Sequence, residues 1–425
     1  MLFLKLIVIQ SQKGGKMKRY HIKNCTLIDG CSNEAKANMN ILIEDKKILK
    51  ISAEPVEGVE AEVLDGEGKF VLPGLIDCHV HYGGTESPYC KDWVMESDIQ
   101  QAIVSTSQCM KSLKHGFTTV RDISANSIHL RNMINKGLVN GPRIVACGRG
   151  LSRTGGHGDS YEVPIELVMR SHPWAVIADG QEEVRKAVRT LLREGSDCIK
   201  VWATGGGLWA WERETDQHYT YEELRVMVEE ADYFGVPVAS HCESIEGALA
   251  SAQAGVTSIE HGEDLSQECL QIMKEKDITL VPTIGLFFEW FSEYDPPIRK
   301  SQENFEGDTL REKELNRIRA NFKAAYEMGI RIAVGADSFC DTLTPYGAYT
   351  HKEIHSLVDA GMTPMEALTA ATKNGAILLR VDDITGTLEE GKSADLIILG
   401  KDPLADIKNI NKENIQLIMK EGNLI

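Results

Sequence analysis

The chain has 425 residues, 42% of them hydrophobic and 26% charged, with a net charge of −17. Its length suits one large barrel of about 250–300 residues plus a smaller appendage, and its composition is that of a globular protein with a core of its own. The acidic balance repels phosphate backbones and anionic lipid, which excludes nucleic acid and membrane surfaces as expected partners.

The first run, LFLKLIVIQ (2–10), is apolar but interrupted by Lys5, and no small-x-small cleavage site follows it. A spanning helix needs about 20 apolar residues. Residues 1–17 are therefore expected to be a disordered leader with Met17 as the natural start, a degenerate signal peptide being the alternative. From Arg19 to Val71 short apolar runs broken by Asp, Asn and Gly read as strands, closed by Asp65-Gly66 and Pro73-Gly74. From Gly74 eight strand-like runs alternate with helical stretches: LIDCHVH, TTVRDI, RIVACG, CIKVWATG, PVASHC, SIEHGE, TLVPTI and RIAVGAD. Between them lie amphipathic segments such as 182–195 and 221–235, the second opening on glutamates and ending at Gly235. Eight alternating units predict an α/β fold, a (β/α)8 TIM barrel over 74–379. After Leu379 the pattern returns to short strands, so 380–425 is expected to pair with 18–73 in a small β-sandwich domain. The ten scattered cysteines, with no CxxC pair, predict reduced thiols in a cytoplasmic protein.

His79 and His81 form an H-x-H pair at the C-terminal end of the first barrel strand, the end where barrel sites are built. Residues two apart on a strand share a face, and Asp77 has the same parity. His241, His261 and Asp337 end later strands in the same manner. Imidazole and carboxylate together suit Zn, Mn, Co or Fe rather than Ca or Mg. Lys200 shares parity with Cys198 and Trp202 and faces the barrel axis, where a lone ammonium is costly. It can act as a base or Schiff-base nucleophile of depressed pKa, or react with CO2 to give a carbamate that bridges two cations. The surrounding histidines favour the carbamate.

The ordered set H-x-H, Lys, His, His, Asp on strands 1, 4, 5, 6 and 8 resembles the amidohydrolase superfamily, as do the flanking VLPGLIDCHVH, KVWATGGG, SIEHGE, GADS and GTLEEGKSADLIILGKDPL. Within it the chain is most similar, from Lys18 to the C-terminus, to the zinc-dependent prolidase-like and carboxypeptidase-like branch (Xaa-Pro dipeptidase, arginine carboxypeptidase). The resemblance implies two divalent metal ions, Zn by preference. His79, His81 and Asp337 would hold the more buried ion and His241 and His261 the other, with N6-carboxylated Lys200 and a hydroxide between them. Asp337 would be general base and acid, and His157, in LSRTGGHGD, would approach the substrate. The implied reaction is hydrolysis of the amide bond of a small molecule, a dipeptide or N-acyl amino acid, by a homo-oligomer. One departure matters. Close relatives carry a tyrosine shortly after the strand-5 histidine that binds the substrate α-carboxylate, whereas this chain reads His241-Cys242-Glu243-Ser244. Arg153 and Arg121 are the alternative carboxylate partners, structural salt bridges being the competing reading of each. Trp202, Trp209 and Trp211 line a pocket or pack. Hydrolysis of a ring amide, imidazolone, urea or carbamate by the same centre is the second reading. A non-catalytic scaffold is disfavoured because all six ligand positions are filled.

Three signals are discounted. His351 and His355, four apart in HKEIH, are expected on a solvated helix face. Gly205–Gly207 are expected to form a lip where backbone passes close to substrate. His115, His129, His172 and His218 are expected to be structural or solvent-facing.

Overall fold

Strand-forming sequence from the two ends of the chain meets in one sheet. In the computed structural model, which describes residues 17–160, 163–171, 174–206, 212–285 and 307–425, β1 (Arg19–Leu27), β2 (Lys36–Glu44), β3 (Lys47–Ser52), β4 (Glu62–Asp65) and β5 (Phe70–Pro73) come from the N-terminal side. The C-terminal strands Leu396–Leu399, Ile415–Lys420 and Asn423–Leu424 join them in an eight-stranded sheet, Leu396–Leu399 running antiparallel to β5. Tyr20 and Ile22 enter the core of this sheet against Ile41, Ile43 and Ile398. A register shift between Ile22 and Cys25, with Asn24 at φ 56°, resets the alternation so that Cys25 and Leu27 reach the same core. Residues 1–16 of the expected leader lie outside the described residues.

Gly74 carries the chain from this sheet into the barrel. A Cβ there would stand 2.1 Å from Thr118 Oγ1, so only glycine permits the close crossing. The barrel strands are β6 (Leu75–Val80), β7 (Phe117–Asp122), β8 (Arg143–Ala146) continued by β9 (Gly150–Ser152), β11 (Ile199–Trp202), β12 (Val238–Cys242), β13 (Ser258–His261) and β14 (Thr279–Val281), all parallel. A short extra strand, β10 (Ala175–Ile177), lies beside β9. The third predicted strand is broken at Gly148, whose φ is 70°. The eighth, around Arg331–Asp337, closes the ring without a continuous ladder. It is held by Leu280 N–H to Arg331 O at 2.9 Å, Cys78 N–H to Val334 O at 2.8 Å and His81 N–H to Ser338 O at 2.8 Å.

Helices cover the outside. In Gly180–Glu194 the buried positions Val184, Ala187, Val188 and Leu191 follow the i, i+3, i+4, i+7 pattern, and Gly195 ends the helix at φ 99°. Tyr221–Asp232 opens on a Thr220/Glu223 capping box. Inside the barrel, Cys78, Cys198, Ala239, Val281 and Ala333 fill the lower layers, which leaves the C-terminal mouth as the open end.

The solvated-face expectation for His351 and His355 is overturned. Both lie on the helix Ala348–Asp359, but His351 is buried, its ring against Phe117 and its Nε2 2.8 Å from His115 O. His355 Nε2 reaches Ile410 O at 2.9 Å. His115 and Phe117 cover His351, and the C-terminal segment meets His355, on the face that helical spacing alone would leave to water. Among the described residues no helix is long and apolar enough to cross a membrane.

Candidate metal centre

Six side chains meet at the barrel mouth: His79, His81, Lys200, His241, His261 and Asp337. The rings of His79 lie 5.3 Å from His81 and 5.2 Å from His261, and those of His241 and His261 are 4.6 Å apart. His79 Nε2 is 3.2 Å from Lys200 Nζ and 3.5 Å from Asp337 Oδ1, and His81 Nε2 is 2.9 Å from the same oxygen. Strict alternation does not deliver these positions. β6 pairs irregularly between Asp77 and Val80, so Asp77 leaves the parity of the histidines and accepts from Thr350 of an outer helix. His261 and Asp337 sit at φ 67° and 55°. Glu260 contacts groups inside the barrel, and the left-handed residue after it turns His261 to the mouth as well.

Each imidazole commits one ring nitrogen elsewhere. His79 Nδ1 meets Glu260 Oε2 at 2.8 Å, His81 Nδ1 meets Ile123 O at 2.7 Å, His241 Nε2 meets Gly205 O at 3.0 Å and His261 Nδ1 meets Thr283 Oγ1 at 2.7 Å. Nε2 of His79 and Nε2 of His81 turn the other way, to Lys200 and Asp337, and a ring anchored at one nitrogen is the arrangement that fixes metal-bound histidines. Ligand-capable atoms of His79, His261 and Asp337 lie within 4.8 Å of one another, as do those of His241, Glu243 and His261. Burial holds His79 and His241 well below the ordinary imidazole pKa and brings His261 to about 4, which favours the neutral ring that ligation requires. Burial alone would raise Asp337, but His79, His81 and His261 hold it well below the usual carboxylate range. Lys200 is fully buried, and burial lowers its pKa. Among the described residues it makes no ion pair. Such an amine suits either modification or ligation better than an ammonium does.

Beneath the centre, Arg121 donates to Cys78 O at 2.5 Å, Ser258 Oγ at 3.1 Å and Glu260 Oε2 at 2.6 Å. Arg121 is thus a structural ion-pair partner, not a substrate group, and it supports the carboxylate that orients His79. Arg153 takes the other course. It forms no ion pair among the described residues, and its Nε is buried without a hydrogen-bond partner. At the mouth the His157 ring stacks on His241 at 4.5 Å, its Nδ1 is 3.0 Å from both oxygens of Glu212, and its main-chain N–H reaches His218 Nδ1 at 3.3 Å. Burial and the neighbouring His157 bring His218 down to about 4. Glu243 is buried and faces the centre, its Oε1 3.6 Å from His241 Nε2. Trp202 packs with Trp93, Trp174 and Phe339, and Trp174 lies 4.9 Å from the His81 ring. Gly207, Trp209, Trp211 and His172 lie outside the described residues.

Comparison with known proteins matches residues 70–425 to the Amidohydrolase family. The chain belongs to this family. It is a hydrolase of amide bonds, and such enzymes are generally metal-dependent. An ochratoxinase of Aspergillus niger is 33% identical over 405 residues, 90% of this chain and 81% of that protein. A crystal structure of a Xaa-Pro dipeptidase with methionine bound in its active site superposes with a TM-score of 0.84 at 33% identity, covering 96% of this chain and all of the other. A prolidase complexed with N-methylphosphonate-L-proline gives a TM-score of 0.86 at 26% identity, covering 96% of this chain and 99% of the other.

Sequence reasoning passed over Glu260, Thr283 and Glu212 in this amidohydrolase, and His218, expected to be structural or solvent-facing, is buried and supports the main chain of His157. Glu260 had a signal: a glutamate inside a strand that is buried throughout needs an internal cation. Glu212 had none, because 55 residues separate it from His157.

Proposed function

We propose that this amidohydrolase hydrolyses the amide bond of a dipeptide or N-acyl amino acid with the aid of two divalent metal ions, zinc by preference. The observation that carries the reading is the convergence of four imidazoles, each anchored through one ring nitrogen, with Lys200 and Asp337 at the barrel mouth. The dipeptidase with bound methionine and the prolidase with a proline phosphonate support the substrate class.

His79, His81 and Asp337 would hold the more buried cation and His241 and His261 the other, with Lys200 between them as its N6-carboxylate. Divalent cations at such a donor set lower the pKa of water toward neutrality and polarise a carbonyl. Asp337, kept ionised by its histidines, accepts the proton of the attacking water and returns it to the leaving nitrogen. Glu260 and Thr283 hold the rings of His79 and His261 in one tautomer. His157 meets the substrate near the scissile group, and Arg153 is the cation available for a substrate carboxylate. Glu243 supports a second reading. A carboxylate beside His241 repels a substrate carboxylate placed there and favours a neutral ring amide, urea or carbamate.

Zinc-supplemented protein incubated in bicarbonate buffer with a library of dipeptides and N-acyl amino acids should release one class of C-terminal residue. Release from none of them, by protein carrying its metals, would contradict the peptide reading and leave the ring-amide one.

A further inference from the structure

The loop after β11 does more than frame the mouth. It leaves the barrel at Ala203 and returns at Gln217, pinned by Gly205 N–H to Asp216 O at 3.0 Å, His218 N–H to Ala203 O at 2.7 Å and a bridge between Thr204 and Gln217. Near its returning end it carries Glu212, whose side chain is only 1% exposed. A carboxylate desolvated to that degree needs a strong partner. His157 provides it, with Nδ1 equidistant at 3.0 Å from both carboxylate oxygens. The Glu212 carboxylate also accepts from Gly206 N–H, which ties it to the end of β11. The imidazole is therefore held on three sides: by Glu212 at Nδ1, by the His241 ring at 4.5 Å, and by Gly206, where a Cβ would come within 2.4 Å of His157 Cε1.

We propose that Glu212 is a positioning residue for catalysis: it holds His157 by Nδ1 so that Nε2 is the nitrogen presented to the substrate. The inference rests on the amide-hydrolase reading, with His157 at the substrate. Glu212 touches no reacting atom itself. Its effect is to remove rotational freedom from the ring before the substrate arrives, which is worth most in the transition state. This assigns a function to the described parts of the loop: Gly206 brings its backbone against His157 and Glu243 rather than against substrate alone, and the arm from Glu212 to Gln217 delivers the carboxylate.

The experiment is a double-mutant cycle on the metal-loaded enzyme with a substrate found by the release screen. Glu212→Gln keeps the size of the side chain, and Glu212→Ala removes its function. Both should lower kcat about 10–100-fold with little change in KM and unaltered metal content. The pair Glu212→Ala/His157→Asn should be no worse than His157→Asn alone, because the first change acts only through the second residue. Glu212→Asp should recover part of the loss. Independent, multiplicative losses in the double variant, or Glu212 variants as active as the parent while His157→Asn is impaired, would overturn the proposal. If His157→Asn itself is fully active, the substrate role of His157 in the proposed function fails instead.

Discussion

Gly206→Ala perturbs one contact of defined size. Gly206 is not in the left-handed region, so alanine suits its backbone. The new Cβ would stand 2.4 Å from His157 Cε1, 2.8 Å from His157 Nδ1 and 3.0 Å from Glu243 Oε1, against ordinary contacts of 3.4–4 Å. Glu243 accommodates the methyl with a shift of a few tenths of an ångström. His157 has to retreat by about 1 Å, and a displacement of that size at a catalytic group costs about 10²-fold in rate, or about 2.7 kcal/mol of transition-state stabilisation. The three atoms nearest the new methyl belong to His157 and Glu243 and to none of the four histidines, Lys200 or Asp337, so metal content should match the parent. Steady-state kinetics beside a metal count on the same preparation measures both. A variant within threefold of the parent in kcat/KM would refute the claim that the glycine lip holds His157 in place.

Four further outcomes follow from the same geometry. Arg121→Met leaves the Glu260 carboxylate buried without its guanidinium and should lower stability by about 3–5 kcal/mol in urea unfolding. Adding Glu260→Gln should restore much of that stability while weakening zinc binding about 10–100-fold by direct titration. Lys200→Ala should abolish turnover, with partial rescue by short-chain carboxylic acids if a carbamate is used and by free amines if a Schiff base is. Asp337→Asn should keep most of its metal yet lose turnover by about 10²–10⁴-fold, a combination that metal analysis and the release assay separate. Glu353 accepts from Gly285 N–H, and burial pushes its carboxyl from 4.5 up to about 8. A raised acid lends stability that is full below its unfolded value and is lost as pH rises through its folded one. Glu353→Gln should therefore gain on the parent in urea midpoint from about pH 5 to pH 8, and parallel pH profiles would contradict this.

The barrel was legible because both of its signals are local. Parallel strands buried on two faces read as short apolar runs, and the covering helices read at a period of 3.6. The types at the strand ends were legible too, since histidine and aspartate are conspicuous at the close of an apolar run. Backbone departures were not. The irregular pairing of β6 sends Asp77 outward, and left-handed residues at His261 and Asp337 turn side chains that period-two counting would place elsewhere. Contacts between distant segments were equally hidden. Arg121 was weighed as a substrate group, yet Glu260, 139 residues away, makes it structural. His351 was read as solvated because His115, 236 residues earlier, and Phe117 cover it and leave no trace in the helix itself.

The most direct test of the account is to strip the protein with a chelator and titrate zinc back in bicarbonate buffer while following amino-acid release. The account predicts that activity climbs from near zero and levels off at two equivalents per chain in the parent. In His79→Ala and His241→Ala it should stay near the baseline. Full activity of the stripped protein, or a titration unaltered by either substitution, would contradict a metal-dependent hydrolase built on these residues.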